Sequence, residues 1–137
     1  MYNKTFWLGF VVIYVVMQIL GYLTHNVLLA KHYALLVDVF RPRAEMREMI
    51  WMLYVSSAIY LYLFCQLFAV ASRGKGVTEG VRFGLLLGLF LSVPASINSY
   101  VVYPITPAIA AIWFMTGVIS FMIAGAIFAA IYRPSAV

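Results

Sequence analysis

Four apolar runs separated by polar breaks organise the chain, over residues 5–29, 49–71, 81–102 and 107–131. Each is long enough to cross a hydrocarbon core as a helix, for which about 20 residues suffice. A membrane barrel needs strands of about ten residues in which polar and apolar positions alternate, and these runs do not alternate. The pattern predicts an all-α, integral membrane, antiparallel four-helix bundle. It forms one membrane domain over residues 1–137, with a longer connector at 30–48. The first run is too long for the apolar stretch of a signal peptide, and no small-x-small pattern follows it before Ala30-Lys31. It reads as a retained span.

The third run is the most informative. Gly80, Gly84 and Gly88 recur at four-residue spacing on a Leu/Phe surface, which gives one helix face a smooth groove for a neighbouring backbone. Beyond it the run turns polar at Ser92, Pro94, Ser96, Asn98 and Ser99, and Pro94 predicts a kink. The fourth run carries Thr116, Gly117, Ser120, Ala124, Gly125 and Ala129, a small-residue seam fit to meet the glycine face. Pro104 and Pro107 break the helix between the two runs, so the short link forces them to be antiparallel neighbours. Arg133 and Pro134 end the last span.

In the first run, Tyr2, Phe6 and Trp7 form a collar suited to the membrane interface. Gln18, Gly21 and His25 fall at i, i+3 and i+7, hence on one face, flanked by Thr24 and Asn26. Such a stripe is expected to face the bundle interior, because lipid offers no hydrogen-bond partners. The connector mixes polar residues with Tyr33, Leu35, Leu36, Val37, Val39 and Phe40, so it either lies in the headgroup region or folds back over the bundle. Pro42 suits an early position of the second helix, with 43–48 as protruding first turns. No strong intrahelical ion pair is expected within those turns, so Glu45 and Glu48 look elsewhere for partners. Ser56, Ser57 and Tyr60 mark a modest polar face, and Gln66 repeats the amide theme of Gln18. Residues 72–76 form a glycine-broken basic turn, after which Thr78 is expected to cap the third helix.

If helices one and three run parallel, Thr24-His25-Asn26 and the 96–99 segment lie at one depth, away from the termini. The candidate ligand-binding layer is therefore His25, Asn26, Asn98, Ser99 and Gln18, reached from the connector by Glu45. An ionisable residue inside a membrane span is a functional candidate by default. Set against it is a purely structural role, in which His25 and the two Asn side chains bond to each other and to carbonyls freed by Pro94. Bonds of that kind contribute about 1 kcal/mol or less each.

Composition agrees with a lipid solvent. The chain is 66% hydrophobic and 9% charged, whereas a soluble domain carries about a quarter charged residues. The net charge of +5 comes from nine Lys and Arg near span ends or in loops, a placement for headgroups and not for nucleic acid. Lys4, Arg73, Lys75, Arg82 and Arg133 lie on one side and Lys31, Arg41, Arg43 and Arg47 on the other. By the positive-inside rule this one-residue excess puts both termini in the cytoplasm. Cys65, the single cysteine, cannot make an intrachain disulfide. His25 and His32 would stand about 10 Å apart on a continuous helix, too far to share one ion. Neither a metal, a cofactor nor a catalytic arrangement is expected.

A pocket with aromatic walls and a few amide or imidazole groups suits a lipid-like molecule such as a quinone, or else a partner protein. An accessory or binding subunit is the first expectation. A small homo-oligomeric transporter or channel, with a homodimer as its simplest form, is the alternative; a path reaching both faces would favour it. A membrane enzyme would need a titrating His25 beside a bound substrate.

Three stretches carry a likeness to known chains: GYLTHNVLL at 21–29, FRPRAEM at 40–46 and EGVRFG at 79–84. Through them the chain resembles a group of small bacterial four-span membrane proteins, a domain of unknown function. The resemblance implies a four-helix fold and a bacterial inner-membrane location; it implies no catalytic residue.

Overall fold

The computed structural model describes residues 3–132. Tyr2, Arg133 and Pro134, assigned above to the collar, the charge balance and the last helix end, lie outside the described residues. The fold is all-helical, in the order α1 (Lys4–Tyr22), a π-helical segment (Leu23–Leu28), α2 (Ala30–Ala34), α3 (Arg43–Ala71), α4 (Val77–Val102) and α5 (Pro107–Ile131). Four of these units are long and apolar enough to cross a membrane: Lys4–Leu28, Arg43–Ala71, Val77–Val102 and Pro107–Ile131.

The ends of the helices follow from local chemistry. Asn3 caps α1 by accepting the Phe6 amide at 3.0 Å, and Thr106 caps α5 by accepting the Ile109 amide at 3.3 Å, with Pro107 in the first turn. Pro42 immediately precedes α3, so residues 43–48 are its first turns, as the sequence predicts. One local expectation is corrected. Thr78 does not cap α4; the helix already begins at Val77, behind Gly76. Glu45 finds its basic partner outside 43–48, as expected: Arg41, just before α3, reaches it at 3.6 Å, both side chains well exposed.

The turn between α3 and α4 is built around Glu79. Its carboxylate accepts the backbone amides of Arg73 at 2.7 Å and Lys75 at 2.8 Å, and the Ser72 hydroxyl at 3.3 Å. Gly74 and Gly76 take φ of 74° and 72°, which side-chain-bearing residues rarely adopt. The loop thus wraps around an anion while Arg73 and Lys75 are exposed.

Helices α4 and α5 form the tightest pair, along the seam the sequence predicts. Gly80 meets Gly125 and Ala129, Gly84 meets the Phe121 backbone, Gly88 meets Val118, and Ser92 meets Gly117. Rising positions on one helix meet falling positions on the other, so the pair is antiparallel. A methyl group on Gly80 or Gly84 would overlap backbone of α5. The backbones can touch only because these side chains are missing.

Beside this hairpin sits an aromatic core of Phe6, Ile13, Leu61, Phe64, Cys65, Phe68, Phe121, Ala124 and Phe128. Phe6 is fully buried, which corrects its place in the interface collar: it packs edge-on against Phe128 and Tyr62. Trp7 remains 48% exposed, as a belt residue should. Phe83 of α4 meets Phe64 and Phe68 of α3 edge-on. A second, smaller cluster of Leu29, Ile105 and Ile109 gathers Tyr33, Leu36, Val39, Phe40 and Trp113. The connector therefore folds back over the start of α5 instead of lying away from the bundle.

Candidate functional site

The aromatic core occupies only the end of the bundle nearest the termini. Toward the other end α3 loses its neighbours: every residue from Arg43 to Ser56 is exposed, and burial begins at Ser57. There α3 is tied to α1, where Gln18 Nε2 donates to Ser57 Oγ at 2.7 Å, Ser57 Oγ donates to the Tyr54 carbonyl at 2.9 Å, and Tyr14 donates to that same carbonyl at 3.3 Å. On the α4 side the wall is incomplete, and Leu91 is 42% exposed.

The result is a cavity of about 530 Å³ between α1, α4 and α5, with Tyr60 of α3 at its edge. Small residues shape it. Gly21 on α1, Ala95 on α4 and Gly117 on α5 line it together with Ser92, Ser96 and Ser99 of α4 and Thr116 and Ser120 of α5. Its inner end is Met17, Leu91 and Phe121, and Phe121 belongs to the packed aromatic core. Its outer end carries Thr24, His25 and Trp113.

A hydrogen-bonded chain borders that outer end. Trp113 Nε1 donates to the Tyr33 hydroxyl oxygen at 2.8 Å, and Tyr33 Oη lies 2.7 Å from His25 Nδ1, with the two rings nearly parallel. Three elements are joined in this way: the π-helical segment, α2 and α5. The π-segment makes the geometry possible. Its wider turns end in the bond from Leu29 N–H to the Thr24 carbonyl at 2.9 Å, five residues back, and such segments often sit at functional positions. Burial pushes the Tyr33 hydroxyl above its ordinary value, against the lowering effect of the Trp113 bond, so it keeps its proton at neutral pH.

Of the residues expected to form the polar layer, the structure brings His25 and Ser99 to the cavity. Gln18 does not share it: the amide turns to α3 and Ser57, so the stripe Gln18–Gly21–His25 divides between an interface and a cavity. Asn26 and Asn98 are both exposed and do not line it. The expected bonding of His25 to these two Asn residues is replaced by its bond to Tyr33. Glu45 is paired with Arg41 on the exposed surface and does not reach the cavity. Pro94 lies inside α4 without ending it.

The candidate layer leaves out Tyr33 and, among the lining residues, Thr24, Tyr60, Ser92, Ser96, Trp113, Thr116 and Ser120. In the sequence Thr116 and Ser120 fall on the packing seam, and Tyr33 gives only an apolar signal in the connector. Its polar end becomes visible only once the chain doubles back. Gly80, Gly84, Gly88, Gly117 and Gly125 all pack between α4 and α5, so they supply no free face for a second copy.

His32 does not join His25. Its Nδ1 is buried without a partner among the described residues, and no group of three or more His, Cys, Asp or Glu stands close enough to hold a metal there. Comparison with known protein families, with curated proteins and with solved structures finds no match, so the site is read from its own chemistry.

Proposed function

We propose that the chain is a multi-pass protein of the bacterial inner membrane, with both termini cytoplasmic, that works as a binding or accessory subunit for a lipid-like molecule. The observation that carries this is the cavity itself: hydroxyl-lined, with the exposed Leu91 of α4 at its edge, and ending inward on Phe121. A pocket of a few hundred Å³ with mostly apolar walls and a few placed polar groups is the usual form of a small-molecule site. Its flank faces the acyl chains if the four helices span, so an amphiphile can enter sideways. The resemblance of 21–29, 40–46 and 79–84 supports the bacterial location, and the sequence's five Lys and Arg (Lys4, Arg73, Lys75, Arg82 and Arg133) against four on the other side support a cytoplasmic side for the termini.

A transporter or channel needs a path to the second face. Phe6, Phe64, Phe68, Phe83 and Phe128 pack against one another below the cavity, which favours the binding reading over that one. No lining group forms a nucleophile–base pair, and we assign no reaction.

The test is purification in mild detergent followed by native mass spectrometry and lipid analysis. A bound amphiphile at near-stoichiometric occupancy, lost in Gly21→Leu, is the expected result. A Cβ at Gly21 meets nothing within 4 Å, so the larger side chain starts from open space on the cavity wall. Protein free of bound amphiphile, with no added lipid restoring one, contradicts the proposal.

A further inference from the structure

Trp113 Nε1 is a donor only, and it donates to the Tyr33 oxygen. The Tyr33 proton then goes to the acceptor within reach, His25 Nδ1 at 2.7 Å. A neutral imidazole accepting at Nδ1 carries its own proton on Nε2. Trp113 and Tyr33 together therefore fix the tautomer of His25, and the nitrogen left for an occupant is a donor. His25 lines the cavity, and its bond to Tyr33 is made by the other nitrogen.

The rest of the lining narrows the occupant further. None of the fifteen lining residues is Asp, Glu, Lys or Arg, so a formal charge inside would go uncompensated at a cost of several kcal/mol. The Thr116 hydroxyl already donates to the Ile112 carbonyl at 2.7 Å and can only accept. Ser92 and Ser96 are 7% and 4% exposed, and their hydroxyls are not sealed off from the cavity. About 530 Å³ holds a single ring and the start of one chain, comparable to a drug-sized ligand.

We infer that the cavity binds an uncharged, single-ring, carbonyl-bearing amphiphile of quinone type. The carbonyl oxygen accepts the His25 Nε2–H, and the chain runs past Gly21 toward the open flank. This rests on the reading of the cavity as a binding site and adds the chemistry of the head.

The test compares decyl-substituted benzoquinone with decylbenzene, which has the same tail and no carbonyl, by calorimetric titration of the full chain in detergent. The quinone should bind at least about tenfold tighter, the size of one good hydrogen bond to a buried site. His25→Phe should erase that preference. Equal affinity of the two compounds for the unaltered protein overturns this inference and leaves the binding-site reading standing; binding of neither overturns both. A preference that survives in His25→Phe also overturns it. Should that variant not fold, 15N NMR of the unaltered protein decides: a proton on His25 Nε2 whose signal moves on adding the quinone supports the inference, and a proton on Nδ1 overturns it.

Discussion

Tyr33 has one oxygen serving two partners from different helices. Tyr33→Phe leaves the part-buried Trp113 N–H and the exposed His25 Nδ1 without that oxygen, and an unsatisfied buried group costs about 1–3 kcal/mol, a cost that falls on Trp113. Chemical denaturation in detergent should show a loss of that order. Alkaline titration provides a second check on the same residue. Burial raises the folded Tyr33 above its ordinary value of 10.0, so the folded state holds the proton more tightly than the unfolded one. Its contribution is intact below the unfolded value and is lost as pH rises through the folded one. The unaltered protein should weaken above about pH 10 more steeply than Tyr33→Phe. Ser57 makes a smaller case. Ser57→Ala strands the Gln18 amide at the α1–α3 contact and should lower stability by about 1 kcal/mol, the scale of interhelical bonds in membranes.

Helix α4 is defined by what its first half lacks. Gly84→Ala places a methyl against the Phe121 backbone, and overpacking of this kind costs about 1–3 kcal/mol. Gly21→Ala is the control. It meets open space, and helix propensity alone makes it neutral to about 1 kcal/mol stabilising. Unfolding curves for the two should move in opposite directions or differ by at least the overpacking term. The loop before α4 depends on Glu79, and Glu79→Gln removes the charge from three hydrogen bonds. Faster hydrogen exchange at the Arg73 and Lys75 amides, with the rest of α4 unchanged, is the expected outcome.

How much was legible in the sequence differs between these elements. The glycine spacing of α4 and the small residues of α5 identified their contact because a groove needs only missing side chains, which spacing reports. The cavity did not announce itself that way. Helical spacing placed Gln18 with His25, but the neighbour each meets depends on where α3 ends its contact with the bundle, and nothing local to α1 records that. The π-segment at 23–28 also shifts residue facings that regular spacing assumes. Asn26 and Asn98 share the layer's depth and polarity, but depth does not fix facing, and both are exposed. Tyr33 was overlooked because its role depends on the chain reversing at 35–42.

At the scale of the whole molecule, packing is uneven by design of the sequence. Aromatic side chains fill the end near the termini, small and hydroxylated ones line the opposite end, and α3 covers only the first of these. The central claim is a cavity that opens in the half of the bundle away from the termini and is blind toward the half nearest them. Thiol accessibility at position 96 tests it most directly. In a Cys65→Ala background, Ser96→Cys and Ala124→Cys are labelled in sealed vesicles of both orientations with a small membrane-impermeant maleimide. The account predicts labelling of the thiol at 96 from the side opposite the termini only, and none at 124, where burial is complete. Equal labelling at 96 from both sides, or no labelling from either, contradicts it.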